Sequence, residues 1–355
     1  MNVLGIESSC DETAAAVWLG DHLASNIIAS QDVHHRFGGV VPELASRAHI
    51  QHILPTVESA LSKANLDKHD LDGIAVTYGP GLAGSLLVGL NFAKAMALAL
   101  RKPFVGVHHI EGHVLSNSVL AAGPVPPFIS LVVSGGHTQL MLVKEWGHYQ
   151  ILGRTRDDAV GEAFDKVARM LNLPYPGGPA IEKLAQGGQA SYVRFPEGKI
   201  KDNELDFSFS GLKTAVLYYL HSLSEDERIE HRADIAASFQ EAAIGALAAK
   251  SLRALENHHI GQLALAGGVA CNGTLRNKLT ALSAAHGFKL FYPPPLLCTD
   301  NAAMIAKAGL FYLQRNMTSD FSLSPRPTLP LEQNNPFSQN AKCDARVEHK
   351  SENSS

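Results

Sequence analysis

The chain has 355 residues, of which 45% are hydrophobic and 18% are charged, and its formal net charge at pH 7 is −4. This length allows two sizeable buried cores, and the weak negative charge excludes the globally basic surface of a stand-alone nucleic-acid binder. The chain has 4 cysteines and no CxxC pair, which excludes a disulfide framework and favours a reducing compartment.

The first residues, MNVLGIESSC, do not form a basic segment followed by an apolar one, and no stretch is apolar for the length of a membrane span. The most apolar run, residues 86–100, is interrupted by Asn91 and Lys94, which favours a core helix. We therefore expect a cytoplasmic protein that does not contact a membrane.

Two segments share a pattern of strand, small polar turn and strand. In residues 3–19, VLGI leads through ESSCDET to AAAVWL, and in residues 128–144, FISLVV leads through SGGHT to QLMLV. Backbone amides in such turns can bind phosphate oxygens. The pattern fits either two ordinary hairpins or two duplicated lobes. A third segment, LALAGG at residues 263–268, favours duplication, because paired glycines at a strand end allow a ligand to approach closely.

Apolar periodicity predicts helices at residues 43–65, 85–101, 159–171, 235–254 and 301–315. The last part of the sequence, residues 325–355, is rich in Pro, Asn, Ser and charge and has almost no apolar periodicity. We expect a partly disordered tail there.

His109 and His113 are four residues apart in HHIEGHV, so a helix would place both imidazoles on one face, within reach of one metal ion. The spacing alone is weak evidence, because the chain contains 17 histidines. In the zincin motif a glutamate directly follows the first histidine. Here Glu111 lies about 200° round the helix from His109, which disfavours a metalloprotease.

The loop at residues 79–84, GPGLAG, matches GxGxxG between a predicted strand and a predicted helix. A dinucleotide site also needs an acidic residue about twenty positions further on, and the next strand, PFVGV, runs instead into two histidines. No Lys-Ser/Thr follows the last glycine, so the loop is not a Walker A motif. A tight turn with Ser85 near the helix start and a ligand contact both remain open.

Asp300 lies where the proline-rich segment PPPLLCTD meets a predicted helix. Thr299 and Asp300 both carry oxygens that accept hydrogen bonds from free amides at a helix start. From the sequence alone, one of these two residues is expected to be the N-cap.

A series of motifs over residues 5–306 resembles the TsaD family, the universal tRNA N6-adenosine threonylcarbamoyltransferases, and the bacterial branch is the closer match. The motifs are GIESSCDET, GGVVPELASRAH, GPGLAGSL, HHIEGH, LVVSGGHTQL, GEAFDKVARMLNLPYPGGP, FSFSGLKTAV, LALAGGVACN and LCTDNAAMIA.

The resemblance implies an α/β fold of the actin/Hsp70/sugar-kinase-like (ASKHA) kind, with two duplicated RNase H-like lobes and a nucleotide cleft between them. We expect an N-terminal lobe at residues 1–119 plus 302–324, a C-terminal lobe at residues 120–301 and the tail at residues 325–355.

The resemblance also implies a metal site formed by His109, His113 and Asp300, which would give Asp300 a role beyond a helix cap. Two imidazoles and a carboxylate suit iron or zinc, and we expect one divalent ion, iron(II) in preference to zinc(II). At the last acidic position of the implied substrate site, Glu182 stands where relatives often have aspartate. The implied substrate-binding residues are Val132, Val133, Ser134, Gly135, Gly136, Asp165, Gly178, Glu182 and Asn272.

The implied activity is transfer of the threonylcarbamoyl group of L-threonylcarbamoyladenylate to N6 of an adenosine in the anticodon loop of tRNA. Asp11 or Glu12 could order water or accept the amine proton, although both could equally be turn residues. The implied partners are a TsaB-like paralogue and a TsaE-like small ATPase. The alternatives are an O-carbamoyltransferase of the same fold that acts on a small molecule, and an ASKHA-type ATPase or kinase.

Overall fold

The computed structural model describes residues 1–37, 39–120, 122–198, 200, 202–334 and 337. These residues form two compact units. Unit 1 comprises Met1–Gln31, Val40–Leu115 and the described residues from Asp300 onward. Unit 2 comprises Asp32–Gly39 and Ser116–Thr299. The predicted lobe boundaries, 1–119 plus 302–324 and 120–301, stay a prediction.

Two sheets contain the strands of the described residues, one in each unit. The strands of unit 1 are β1 (Asn2–Glu7), β2 (Glu12–Leu19), β3 (His22–Ser30), β4 (Gly73–Gly79) and β5 (Phe104–His108). The strands of unit 2 are β6 (Phe128–Val133), β7 (Thr138–Glu145), β8 (His148–Arg154), β9 (Gln262–Ala266) and β10 (Lys289–Phe291).

The α-helices of the described residues fall into the same two units. They are α1 (Pro42–Lys63), α2 (Ala83–Leu100), α3 (His109–Leu115), α4 (Val160–Met170), α5 (Gly177–Ala185), α6 (Ser210–Ser222), α7 (Glu225–Glu230), α8 (Arg232–His258), α9 (Gly273–His286), α10 (Pro295–Cys298) and α11 (Ala302–Leu313). Helices were therefore found at all five segments with helical periodicity, with ends that differ by a few residues.

The two sheets have the same topology. In unit 1 the strand order is β3-β2-β1-β4-β5, and in unit 2 it is β8-β7-β6-β9-β10. In each sheet the first three strands of the sequence pair antiparallel, and the last two add in parallel. The duplication predicted from the two hairpins is thus confirmed, and each sheet carries a β-hairpin turn at the same topological position.

The sheet of unit 1 is covered on both faces, which explains its continuous apolar strands. Ile6 packs with α2, where Gly89 allows close approach, since an added Cβ would meet Ser8 Oγ at 2.1 Å. The preceding residue of β1, Gly5, faces α11 on the opposite side of the sheet, and a Cβ there would come within 2.5 Å of the Ala302 carbonyl oxygen. Helix α11 therefore lies directly on the backbone of β1, which fixes the position of the residues just before the helix.

Unit 2 has a separate core between its sheet and α4, α6 and α8. Phe164 of α4 and Phe239 of α8 are both buried, and their rings meet edge to face with centroids 5.0 Å apart. Aromatic pairs in this geometry add to the stabilisation from burial alone. The packing holds α4 behind the hairpin turn between β6 and β7, because a Cβ at Gly161 would lie 2.6 Å from the Ser134 carbonyl oxygen.

Part of the predicted tail packs on unit 1. Leu329 is buried in its core, and the Arg326 amide donates to the Tyr78 carbonyl oxygen over 2.7 Å. The Tyr78 hydroxyl donates to Asn334 Oδ1 over 2.7 Å. Residues 335, 336 and 338–355 lie outside the described residues, so the prediction of partial disorder is not tested there.

Among the described residues, α2 is the helix whose length and apolar composition would suffice to cross a membrane. One face of α2 is buried, with Leu86, Leu90 and Ala93 packed against the rest of unit 1. The exposed residues Leu87 and Leu98 lie on its other side. A helix that packs on a protein core can be equally long and apolar, and the sequence had favoured a core helix at residues 86–100.

Candidate functional site

Three side chains with metal-ligand chemistry meet in unit 1. His109 begins α3 directly after β5, and His113 lies one turn later on the same face. His113 Nε2 is 3.0 Å from Asp300 Oδ1, and His109 Nε2 is 3.6 Å from the same oxygen. One ligand atom from each of the three residues lies within 4.8 Å of the others, and both histidines are buried. This group fits a divalent metal ion.

The neighbouring histidine, His108, has a structural role. Its Nδ1 accepts a hydrogen bond from the Ile110 amide over 3.1 Å, which caps the first turn of α3. Its Nε2 therefore carries the proton and donates to the Leu329 carbonyl oxygen over 2.9 Å. His108 thus holds α3 to the C-terminal segment of unit 1 and aligns the start of the helix that carries the other two histidines.

The helix cap predicted at Thr299 or Asp300 was wrong. Asn301 is the N-cap of α11, and its Oδ1 accepts from the Met304 amide over 3.1 Å. Three successive residues with side-chain oxygens made the sequence ambiguous here. Because Asn301 satisfies the helix start, the Asp300 carboxylate is directed to the histidines instead.

Glu111 is buried but bonded elsewhere. Its carboxylate accepts hydrogen bonds from the Tyr312 hydroxyl and from Asn334 Nδ2, the latter over 2.9 Å. These partners come from α11 and from the C-terminal segment. A carboxylate held in this way does not provide the general base of a zincin, as the helical spacing had indicated.

A second carboxylate lies behind His109. Glu7 Oε2 is 3.2 Å from His109 Nδ1, and Ser9 Oγ is 3.1 Å from the same nitrogen. Burial alone would lower the pKa of His109, but the carboxylates of Asp300 and Glu7 raise it to about 9. Burial opposes ionisation of Glu7 too, yet His109 holds the pKa of this carboxyl below its usual range. In the absence of metal, this favours a protonated His109 at neutral pH.

The turn between β1 and β2 adds two more acidic side chains, Asp11 and Glu12. Burial raises the pKa of Glu12 to about 10, and the negative charges of Asp300 and Asp11 act in the same direction. Ser9, near the start of this turn, has its Oγ 3.1 Å from His109 Nδ1, so the turn lies close to the three-residue group. Burial and the Asp11 carboxylate also raise the pKa of Cys10, so Cys10 is a packed and unreactive thiol.

His49 of α1 braces this turn. Its Nε2 donates to the Cys10 carbonyl oxygen over 2.9 Å, so its Nδ1 accepts from the Thr13 hydroxyl over 2.7 Å. His49 is buried, and burial holds its pKa below the usual value. The neutral imidazole thus fixes both sides of the turn through hydrogen bonds.

The glycines of the GPGLAG loop are explained by packing within unit 1. A Cβ at Gly79 would lie 2.1 Å from the Arg326 carbonyl oxygen, and one at Gly81 would lie 2.5 Å from the Ser9 carbonyl oxygen. At Gly84 it would lie 2.3 Å from Ser46 Oγ. The loop therefore supports the β1–β2 turn at close range, which favours the tight-turn interpretation over a ligand contact.

The corresponding turn in unit 2, between β6 and β7, has a different surface. The Ser134 amide donates to the His137 carbonyl oxygen over 2.8 Å, and the His137 amide donates to Ser134 Oγ over 3.1 Å, which closes the turn. Gly135 and Gly136 are exposed, and a Cβ on either would meet nothing within 4 Å. The side chains of Val132 and Val133 are buried, so only their backbone could contact a ligand.

The other predicted substrate-binding residues of unit 2 are linked through helix starts. Asp165 Oδ1 accepts from the Gly177 amide at the start of α5 over 2.7 Å. Glu182 Oε1 accepts from the Gly273 amide at the start of α9 over 2.7 Å. Asn272 caps α9, because its Oδ1 accepts from the Leu275 amide over 2.9 Å. Hydrogen bonds thus link Asp165 to the start of α5 and Glu182 to the start of α9. A Cβ on Gly178 would meet nothing within 4 Å.

Fold comparisons define the class of protein. A crystal structure of HypF from T. kodakarensis aligns with a TM-score of 0.61 at 16% identity, covering 88% of this chain and 48% of that chain. Component A of the (R)-2-hydroxyglutaryl-CoA dehydratase of Acidaminococcus fermentans aligns with a TM-score of 0.51 at 13% identity, covering 88% and 97%. The chain is an α/β protein of the two-lobed ASKHA-like fold, with a side-chain group suited to a divalent metal.

Sequence comparisons then identify the family. The profile of TsaD, described as tRNA N6-adenosine threonylcarbamoyltransferase, matches residues 22–307. Proteins of that name are similar to this chain: one from Moorella thermoacetica is 52% identical over 332 residues, covering 93% of this chain and 97% of the relative. One from Clostridioides difficile is 51% identical over 334 residues, covering 93% and 98%. The chain belongs to the TsaD family, which confirms the resemblance seen in the motifs.

Sequence reasoning missed Glu7, Ser9 and His49 as parts of this site. The available signal for Glu7 was a carboxylate at the end of an otherwise apolar strand, since buried charges need partners. The partner of Glu7 lies 102 residues away, and no local pattern indicates it. His49 lies in the quoted motif GGVVPELASRAH, but its contact with the first hairpin depends on how α1 packs.

Proposed function

We propose that this protein forms N6-threonylcarbamoyladenosine at the adenosine that follows the anticodon, in tRNAs that read codons beginning with A, and that it does so in the cytoplasm. The observation that carries the proposal is the meeting of His109, His113 and Asp300 in a chain of the TsaD family. An anticodon loop suits such an enzyme, because its unstacked bases are accessible in a way that paired bases are not.

The donor in this proposal is L-threonylcarbamoyladenylate, and AMP is the leaving group. The exocyclic amine of adenosine is a weak nucleophile because its lone pair is delocalised into the purine. A mixed carbamoyl–phosphate anhydride is activated enough to react with it. The task of the protein is then to hold donor and amine in line, which lowers the entropic part of the barrier.

The adenylate part of the donor is assigned to unit 2. The phosphate would lie against the turn at Ser134, Gly135 and Gly136, where the backbone amides of the two glycines would donate to it, and the open space at these glycines supports this role. The adenosine would contact Asp165, Gly178, Glu182 and Asn272, with Val132 and Val133 contributing backbone groups. Glu182 retains a second carboxylate oxygen beyond the one bonded to Gly273, which supports a ligand role for this residue.

The residues that would hold the metal are His109, His113 and Asp300, and we propose iron(II) in preference to zinc(II). A divalent ion there would act as a Lewis acid on the carbamate oxygen or neutralise the departing phosphate. Glu7 and Ser9 hold His109 in place from behind. Asp11 or Glu12 would order water, because both lie in the segment that follows Ser9, whose hydroxyl is 3.1 Å from His109 Nδ1. Asp11 would accept the proton that the adenosine amine loses, since burial raises the pKa of Glu12 to about 10.

Partner proteins would compensate for the net negative charge of the chain. A net charge of −4 gives little long-range attraction for tRNA. We propose that the protein works with a TsaB-like paralogue and a TsaE-like small ATPase. Among the alternatives, a kinase or ATPase would need oxygen ligands for magnesium and would have no use for two buried histidines.

The deciding experiment combines the protein, its two partners, threonylcarbamoyladenylate and unmodified tRNA, and measures modified adenosine by mass spectrometry. We expect N6-threonylcarbamoyladenosine with the natural chain and with His148→Ala, an exposed histidine whose side chain is 77% accessible. With His109→Ala we expect the rate of product formation to fall by about three orders of magnitude. Donor consumption without modified tRNA in the natural protein would instead favour the small-molecule O-carbamoyltransferase.

A further inference from the structure

The end of β1 contains a fully buried carboxylate, that of Glu7. A buried charge is costly unless it is hydrogen-bonded, and Glu7 has several donors. Its Oε1 accepts from the Ser9 amide over 2.6 Å, and its Oε2 accepts from the Thr77 hydroxyl over 2.6 Å. The same Oε2 lies 3.2 Å from His109 Nδ1. The carboxylate is therefore fixed on both sides before it meets the histidine.

This contact determines which ring nitrogen of His109 carries the proton. An ionised carboxylate only accepts hydrogen bonds, so His109 Nδ1 must be the donor. The Ser9 hydroxyl, 3.1 Å from the same nitrogen, could donate or accept and does not settle the tautomer alone. With Nδ1 protonated, the lone pair available to a cation is on Nε2, the atom that faces Asp300 Oδ1 at 3.6 Å.

We propose that Glu7 is a positioning residue of the metal centre, which holds His109 in the tautomer and orientation that present Nε2 to the cation. Carboxylates that bond the far nitrogen of a metal-bound histidine commonly have this role, and their loss weakens metal binding by about 10- to 100-fold. The inference rests on the proposed metal role of His109, His113 and Asp300.

The sharpest variant is Glu7→Gln, because glutamine has nearly the same shape but one donor and one acceptor group. If its NH2 group faces His109, it favours the tautomer with the proton on Nε2, which blocks the cation. If the NH2 group faces Ser9 instead, two hydrogen-bond donors face each other, because the Ser9 N–H normally donates to Glu7 Oε1. Ser25→Ala is the control, since it removes a buried hydroxyl of the same unit whose partners are the Val17 amide and the Ala60 carbonyl oxygen.

The measurement is zinc(II) affinity, determined by competition with a chromophoric chelator. We expect binding about 10- to 100-fold weaker in Glu7→Gln and close to the natural value in Ser25→Ala. Equal affinity in Glu7→Gln and the natural chain would overturn the inference. Failure of the natural chain itself to bind zinc would instead contradict the proposed metal site, so the two failures are distinguishable.

A second readout does not depend on how Glu7→Gln folds. In the zinc-loaded natural protein with 15N-labelled histidine, long-range 1H–15N spectra report the protonated ring nitrogen of each histidine, and His109→Asn identifies the signal. We expect His109 to carry its proton on Nδ1. A His109 bound to zinc through Nδ1 would overturn the inference, whatever the variant does.

A different observation in unit 2 supports a second proposal. Cys271 ends the short 3-10 helix before α9, and Cys298 ends α10. Both thiols contact one proline segment, because Cys271 Sγ donates to the Pro295 carbonyl oxygen over 3.7 Å and Cys298 Sγ donates to the Pro293 carbonyl oxygen over 3.3 Å. Cys298 is fully buried, whereas Cys271 is partly exposed. Arg276 donates to Cys298 Sγ over 3.4 Å and stacks on Tyr292, which places a fixed positive charge beside the two sulfurs.

These surroundings make Cys271 the more reactive thiol. The neighbouring Cys298 side chain and the charge of Arg276 outweigh burial and lower the pKa of Cys271 to about 7. Thiolates are the nucleophilic form of cysteine. By contrast, burial and Asp11 raise the pKa of Cys10, which makes Cys10 an unreactive control in the same molecule.

We infer that Cys271 and Cys298 form a peroxide-sensitive dithiol. The Cys271 thiolate attacks hydrogen peroxide, the O–O bond breaks, and Cys271 sulfenic acid and hydroxide form. The Cys298 thiol then attacks the Cys271 sulfur, and the sulfenic oxygen leaves as water. The resulting disulfide would tie residues 293–298 to the residue before Asn272, the N-cap of α9.

Peptide mapping of the peroxide-treated natural protein tests this proposal. We expect a disulfide between the peptides of Cys271 and Cys298 that dithiothreitol reverses, with Cys10 still reduced. In Cys298→Ser, Cys271 should be trapped as sulfenic acid by dimedone, and Cys271→Ser should show neither product. A natural protein whose Cys271 is oxidised without bonding to Cys298, or is not oxidised before Cys10, would overturn the proposal.

Discussion

Unit 1 and unit 2 have one strand order but present different chemistry at matching hairpin turns. The β1–β2 turn carries Cys10, Asp11 and Glu12, is braced by His49 and lies near three metal-type ligands. The β6–β7 turn has two exposed glycines with free space beside their backbone. The first turn therefore presents side chains and the second presents open backbone, although the topology of their sheets is the same.

The largest effect should come from the side chains of unit 1. In His109→Ala, we expect loss of bound metal and a fall in the transfer rate of about three orders of magnitude, since a Lewis acid contributes several kcal/mol and each ~1.4 kcal/mol is tenfold. Metal content by mass spectrometry and modified adenosine in tRNA measure this. A variant with natural metal content and full activity would remove the proposed distinction between the units.

A substitution in the core of unit 2 should lower stability without affecting the proposed metal ligands in unit 1. Phe164→Ala removes a buried ring from behind the β6–β7 turn and should lower the free energy of unfolding by about 3–5 kcal/mol. Urea unfolding measures the loss, and zinc affinity should stay at the natural value. Tyr218→Ala, at a side chain 68% exposed on α6, is the control and should change stability by less than about 0.5 kcal/mol. A parallel loss of zinc affinity in Phe164→Ala would show that the two regions are coupled.

The backbone role of the β6–β7 turn can be separated from its stability. Gly136→Ala places a methyl group where nothing lies within 4 Å, so the fold should be unchanged. A donor phosphate that approaches the amides would meet this methyl group, and we expect a non-hydrolysable donor analogue to bind about 10- to 100-fold more weakly, or ~1.4–2.7 kcal/mol. Gly211→Ala, also in open space but in α6, is the matched control. Unchanged analogue binding in calorimetry would contradict recognition by backbone.

The smallest effect concerns charge in unit 2. Burial opposes ionisation of Asp158, but Lys213 and Lys166 hold its pKa below the usual range. The folded pKa is lower than the unfolded one, so the stabilisation is present above the unfolded value near ~4 and is lost as the pH falls through the folded pKa. Asp158→Asn should cost about 1 kcal/mol at pH 7, with the difference vanishing in acid. Urea unfolding at several pH values measures this, and Glu204→Gln, in an exposed ion pair, should show almost no change.

Local patterns predicted much of this fold because its elements have strong signals. Apolar runs bounded by small polar turns indicated both hairpins, and the four-residue spacing placed His109 and His113 on one helix face. Asp300 was different, because Thr299, Asp300 and Asn301 could each cap α11, and only the packing of that helix on β1 decides among them. The GPGLAG loop was open for a similar reason, since its glycines are explained by distant backbone atoms.

The position of Glu7 could not be derived from the sequence in the same way. Its bonds to Thr77 and His109 join three strands or helices that are remote in the chain. The family resemblance identified the proposed ligands but not the residues behind them. Long-range hydrogen bonds of this kind become visible only once the sheet order is known.

The discontinuity of unit 1 has a consequence for biosynthesis. His109 and His113 leave the ribosome early, whereas Asp300 and the residues that bond His108 and Glu111, at Leu329 and Asn334, follow only after all of unit 2. Nascent chains fold as units while synthesis proceeds. An ion that arrives before translation has passed Asp300 therefore meets an incomplete set of the proposed ligands, and the hydrogen bonds that hold α3 from behind form later still.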